Sequence, residues 1–235
     1  MLQLIHIKND IRQILRDPIM AIMLVVPVFV IVLFKLMVLY LMPALIERTL
    51  FDANLYSDYI MAFVLVINSG TLGIVTGFMM LDERDGNIAE LMSVTPLGRS
   101  GYLINRLMFA SILSVIYCIA ACYVVNIVVL PWYSIVFLSL LSGLYSAIIG
   151  LLIFSGADDK VKGLTFAKAL NALVVFAFAD IVSLPWLTTL SWFFPPYWVT
   201  MVIKSPHSWE VFGLALCVHA IWLWLLIWRY WRKQV

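Results

Sequence analysis

The sequence predicts an all-α integral membrane protein with six spanning helices. Three observations carry that prediction. Apolar residues make up 64% of the 235 residues and charged residues only 12%, against about 25% charged in soluble domains. The mean hydropathy is +1.04. Six apolar stretches near the roughly 20 residues that cross a bilayer recur along the chain, and the basic residues between them alternate in density.

The stretches are 19–42, 59–81, 107–130, 134–155, 164–183 and 211–228. Lys8, Arg12 and Arg16 precede the first. Arg84, Arg99 and Arg106 follow the second, Lys160, Lys162 and Lys168 follow the fourth, and Arg229, Arg232 and Lys233 close the chain. Twelve of the fifteen Lys and Arg therefore fall on one side, with Arg48 and Lys204 on the other and Lys35 inside the first span. The positive-inside bias puts both termini in the cytoplasm, and an added or deleted span would destroy the alternation. The expected location is the bacterial cytoplasmic membrane.

Residues 1–17 carry Leu4, Ile7, Ile11 and Ile14 at helical spacing, with Lys8, Asp10, Arg12 and Arg16 elsewhere on the wheel. This reads as an amphipathic interfacial helix feeding the first span, the alternative being a frayed tail. The first apolar run is too long for a cleaved signal core and is expected to stay in the mature chain. Residues 184–210 hold Pro185, Pro195, Pro196 and Pro206 among many aromatics. They are too apolar for a free loop and too broken for a span. A re-entrant or interfacial helical hairpin at the outer surface is expected. No linker or repeat divides residues 1–235, which read as one transmembrane domain. Gly73 and Gly77, and Ser142, Ser146 and Gly150, recur at four-residue spacing. Such small residues let helices approach closely, more often within one subunit than across a dimer.

The only sizeable polar stretch runs from Asp82 to Ser100, on the cytoplasmic side by the charge bias. Gly86 permits a turn, Asn87 is a good N-cap, and Glu90 three residues later completes a capping-box-like pair. Pro96 ends the helix, since the residue before a proline leaves the helical region. About two turns result, with Ile88, Leu91 and Met92 along one side. So short a helix needs a surface to lie on. Either it docks a soluble partner, or it is a connecting loop packed under its own spans.

The pattern of Glu83, Gly86, Glu90, Leu91, Thr95, Pro96, Leu97, Tyr102 and Leu103 resembles the permease subunits of type-2 ATP-binding-cassette (ABC) exporters. The chain is most similar to the short permeases of drug export, including those for fluoroquinolones. It departs in reading Asp-Glu-Arg-Asp-Gly-Asn where that family often has Glu-x-Glu-x-Gly-Thr. The resemblance implies that Glu83, Asp85, Gly86, Asn87, Ile88, Glu90, Leu91, Met92, Thr95, Pro96 and Leu97 form the coupling helix and its flanks. It also implies two copies of a separate ABC ATPase, which would hold ATP and magnesium, and a second permease chain, expected to be identical. This chain has no Gly-x4-Gly-Lys-Ser/Thr sequence and by itself is expected to bind no cofactor and catalyse no reaction. Its net charge of +2 offers nothing to nucleic acid.

Four polar residues within spans are pathway candidates: Lys35, Asn68, Asn171 and Asp180. An intramembrane ionisable group is a functional candidate by default. Lys35 lies near enough to the outer end of its span to snorkel, and Asp180 near enough to be a solvated mouth residue or to pair with Lys35. Asparagines in spans, Asn126 among them, more often join helices than touch substrate. Cys118, Cys122, Cys217 and His219 only imitate a soft-metal site. Asp158, Asp159, Lys160 and Lys162 read as a solvated turn. Two rival functions remain open, a membrane-embedded enzyme and a non-transporting scaffold or immunity protein. Within the spans no paired-Asp, His-Glu-x-x-His or Gly-x-Ser-x pattern favours the first; Gly156-Ala157-Asp158-Asp159 comes nearest and lacks partners.

Overall fold

The computed structural model describes residues 14–49, 52–86, 98–182 and 184–232. Among these the secondary structure is helical, with six helical runs long and apolar enough to cross a membrane. The first is α1 (Pro18–Leu36), which passes through a wide turn at Met37–Leu41 into α2 (Met42–Thr49). Then follow α3 (Ser57–Asp85), α4 (Gly98–Val125), α5 (Trp132–Gly156) and α6 (Lys160–Asn171). A 3-10 helix (Ala172–Ile181) continues α6. Two short helices, α7 (Pro185–Ser191) and α8 (Pro195–Lys204), precede α9 (Trp209–Arg232). Most of the amphipathic segment at 1–17, and the short helix expected at 87–97, lie outside the described residues.

Helices α3 and α5 form the interior, and α1, α4, α6 and α9 pack around them with apolar faces outward. From Met61 to Leu81 every residue of α3 is buried except Phe63 and Ile67. A helix buried on nearly all sides carries no polar stripe and must fit its neighbours through small residues. A Cβ on Gly73 would lie 2.5 Å from the Ser146 carbonyl oxygen, and one on Gly77 2.7 Å from Ile153 Cβ. Gly150 faces the Gly73 carbonyl at 3.2 Å in return. The four-residue glycine spacing is thus a seam between α3 and α5 of one chain. On the other flank of α5, Ser111 and Ser114 of α4 donate to the Gly143 and Ser142 carbonyls, each at 2.9 Å.

The broken segment before α9 forms the expected pair of short helices. Pro196 has no N–H for the Trp192 carbonyl, and the Trp198 indole donates there instead at 2.8 Å. The Trp222 indole of α9 satisfies the Phe193 carbonyl at 2.8 Å. Thr200 of α8 donates to the Ala177 carbonyl of the 3-10 helix at 2.8 Å.

Three expectations need correction. The third span is not 107–130 but begins nine residues earlier, at Gly98, and ends at Val125. Asn126 follows it with φ 49°, the left-handed conformation that ends helices and that asparagine tolerates. It is a helix terminator rather than an intramembrane polar group. The fifth span is not one α-helix, since it tightens into a 3-10 helix at Ala172. Lys168 sits within α6 rather than in the connection before it.

Candidate functional site

At the end of the bundle where Asp17 and Tyr230 lie, five helix ends are joined by buried or half-buried charges. The last turns of α3 present Asp82, Glu83 and Arg84 at steps of about 100°, so each reaches a different neighbour. Glu83 is only 1% exposed. Tyr102 and Arg106 lie one turn apart on the first part of α4, and both aim at it. The Tyr102 hydroxyl donates to Glu83 Oε2 at 2.7 Å, and Arg106 Nε donates to the same oxygen at 2.8 Å. Arg106 Nη2 pairs with Oε1. The guanidinium thus grips both carboxylate oxygens, the geometry that makes a buried charge pair tolerable.

This clamp brackets the segment 87–97. Chain enters it at Gly86 and leaves it at Gly98, so α3 and α4 are tied at its two stems. Gly86 has φ −85°, a conformation open to any residue, so the turn there does not require glycine as the sequence suggests. Gly98 does, with φ +61° and, among the described residues, no atom within 4 Å of where a Cβ would stand. Its glycine serves backbone freedom rather than close approach.

Two further ties spread from α3. Arg84 donates to the carbonyls of Ala157, at 3.0 Å, and Asp158, capping the end of α5, and its guanidinium lies 5.4 Å from the Phe154 ring centre. Lys160 at the start of α6 pairs with Asp82 at 2.8 Å and with Asp17. Asp17 also caps α1, accepting from the Ile19 and Met20 N–H groups at 2.8 and 3.1 Å. Partial burial pushes its carboxyl upward, but Lys160 and these N–H groups outweigh that and hold it below its ordinary value. The turn at Asp158–Lys162 is therefore only partly solvated surface. Lys162 meets Asp158 in the open at 3.0 Å, whereas Lys160 locks three elements together.

At the opposite end a second charged cluster joins α8, the 3-10 helix and α3. Lys204 pairs with Asp180 at 3.0 Å, donates to the Tyr59 hydroxyl, and lies 4.2 Å from that ring's centre. The Lys35–Asp180 pair considered from the sequence does not form, because Lys204 takes the carboxylate. Of the other pathway candidates, Asn68 is 2% exposed, and neither side-chain polar atom is hydrogen-bonded among the described residues. Asn171 turns toward α3, its side-chain oxygen 3.5 Å from a Cβ on Gly70. Ser69 and Thr71 donate back to the Leu65 and Ile67 carbonyls of their own helix. The structure therefore does not gather Lys35, Asn68, Asn171 and Asp180 into one site. Among the described residues no three His, Cys, Asp or Glu side chains are placed to hold a metal ion.

Of the residues singled out at 83–97, the structure describes Glu83, Asp85 and Gly86. Asp85 is exposed at the end of α3. Asn87, Ile88, Glu90, Leu91, Met92, Thr95, Pro96 and Leu97 lie outside the described residues. Sequence reasoning counted Arg106 only as a basic charge and missed Arg84 and Lys160 as ties. The available signal was a Glu ending one apolar run and an Arg embedded in the start of the next.

Residues 10–227 match the family described as "Fluoroquinolones export permease protein Rv2686c-like". Two proteins of Mycobacterium tuberculosis are similar over nearly the whole chain. The fluoroquinolones export permease proteins Rv2686c, of strain H37Rv, and MT2760, of strain CDC 1551, are each 27% identical to it, covering 97% of this chain and 93% of their own. No solved structure matches. By this match over most of its length, the chain belongs to the Rv2686c-like family of fluoroquinolones export permease proteins.

Proposed function

We propose that this chain is the membrane-spanning subunit of an ATP-driven exporter of amphipathic drugs, fluoroquinolones among them, and that segment 87–97 is where a separate ABC ATPase grips it. The observation that carries the reading is the buried Glu83–Arg106–Tyr102 clamp. A loop whose only task is to connect two spans needs no buried ion pair across its stems. A loop that must transmit force does, because the stems then move as one body. Arg84 and Lys160 extend that body to the starts of α1 and α6 and the end of α5.

In this reading both termini and the clamp face the cytoplasm of a bacterial inner membrane, as the bias in Lys and Arg indicates. Two ATPase copies hold ATP and magnesium, and two copies of this chain form the pathway. When the ATPases close on ATP, each displaces its 87–97 segment. The clamp passes that displacement to α3 and α4, and the ties pass it to α1, α5 and α6. The chain itself does no covalent chemistry. Its residues position helices and line the pathway.

The test is export of norfloxacin from cells that carry the chain with its ATPase. Glu90→Lys, or deletion of Pro96, is expected to abolish export while the protein still inserts and reaches normal abundance. Undiminished export by either variant would count against the reading.

A further inference from the structure

A single open strip runs along the otherwise buried α3. Within Met61–Leu81 only Phe63 and Ile67 are not buried, and Tyr59, one turn earlier, is also half-open. These positions recur at four-residue spacing and so share one face. Aromatic rings from two other elements flank that face. Phe34 of α1 lies 5.6 Å from Phe63, and Phe178 of the 3-10 helix lies 6.0 Å from Phe63 and 6.2 Å from Tyr59, nearly parallel to the Tyr59 ring at 23°. All four rings are half-exposed. At the Tyr59 end of the strip stands the Lys204 ammonium with its partner Asp180, each about a quarter exposed.

We infer that this strip is a binding site for a planar aromatic carboxylate, with Lys204 receiving the carboxylate and Asp180 occupying Lys204 when the site is empty. The inference rests on the export reading and adds to it where the substrate binds and which group is recognised. Half-exposed rings with centroids 5.6–6.2 Å apart offer an aromatic surface to a flat ligand. A carboxylate on that ligand competes with Asp180 for the Lys204 ammonium, and the displaced Asp180, about a quarter exposed, is tolerated because it is not fully buried. The same exchange gives release a mechanism, since Asp180 returning to Lys204 displaces the ligand's carboxylate. The burial that would pull the Lys204 ammonium's pKa down is outweighed by Tyr59 and Asp180, which keep it charged.

The arrangement makes opposite predictions for the two charged residues. The probes are norfloxacin, a planar aromatic acid, and its ethyl ester, which lacks the carboxylate. Binding is read from probe fluorescence with the purified full-length chain in lipid nanodiscs. The unaltered chain is expected to prefer acid over ester by about tenfold or more, the worth of one charge-assisted hydrogen bond. Lys204→Met should erase the preference by weakening acid binding alone. Asp180→Asn should strengthen acid binding and leave the ester unchanged, because a competitor is removed. Phe178→Leu should weaken acid and ester alike.

If Lys204→Met and Asp180→Asn both weaken acid and ester equally, the pair is only structural and the inference is overturned. Equal binding of acid and ester by the unaltered chain also overturns it. Norfloxacin extrusion from cells, measured alongside, separates the two levels. Extrusion together with equal binding sinks this site and leaves the export reading standing. No extrusion by the unaltered chain with its ATPase sinks the export reading and this inference together.

Discussion

Glu83 is the residue whose surroundings say most. A carboxylate that is 1% exposed at the end of a span is made tolerable by Arg106 and Tyr102, which meet both its oxygens. Removing one partner strands a buried charge, which costs about 3–5 kcal/mol. Arg106→Met should therefore lower the melting temperature in detergent markedly. Glu83→Leu combined with Arg106→Met should regain most of that loss, because the pair is replaced by apolar bulk. The double variant should still fail in export if the clamp's role is to transmit motion. Asp17 yields a pH prediction. Its folded pKa lies below the ordinary value near 3.9, so its tie contributes stability above that value and loses it as pH falls through the lowered one. The stability difference between the unaltered chain and Asp17→Asn should stay constant through neutral pH and shrink only below about pH 4. Glu83 and Arg106, 23 positions apart, left only one trace in the sequence, a Glu ending one apolar run and an Arg within the start of the next. Asp17 and Lys160 are 143 apart, a distance at which local patterning is silent. Lys204 and Asp180 were both visible, but Lys35 was the partner the sequence offered for Asp180 until the fold placed α8 beside the 3-10 helix.

Among the elements, the seam between α3 and α5 was half legible. The spacing of Gly73, Gly77, Ser146 and Gly150 announced close packing, but spacing alone does not say which helix meets which. Gly73→Val should disrupt the seam, because even its Cβ would sit 2.5 Å from a backbone oxygen that cannot swing away. Gly98→Ala meets no atom among the described residues, and its φ of +61° sets a conformational cost of about 1–2 kcal/mol. Comparing the melting temperatures of the two variants separates clash from backbone strain, and Gly73→Val should be the more damaging. The misplaced third span has a physical cause. Hydropathy penalised Arg106 as a charge, but once Glu83 neutralises it the helix can run back to Gly98. At the far end hydropathy kept Ile127–Leu130, which are apolar enough to span, while Asn126 had already turned the chain. The 3-10 stretch left no trace because Ala172–Ile181 is as apolar as any span.

For the molecule as a whole, six crossings and the helical class followed from composition and charge alternation, since the solvent imposes them. The family match over residues 10–227 supports a permease. What composition could not give is the division of labour between two charged ends. At one end, Glu83, Arg84 and Lys160 tie helix ends together. At the other, Lys204 and Asp180 close an aromatic strip. In the proposed exporter these two ends are the input and output of one motion. Its most direct test is a photo-crosslinking residue placed at position 91 in cells that carry the chain with its ATPase. The account predicts an adduct between this chain and the ATPase, formed only on the cytoplasmic side. Crosslinks to lipid or to another copy of this chain alone, with no ATPase adduct, would contradict it.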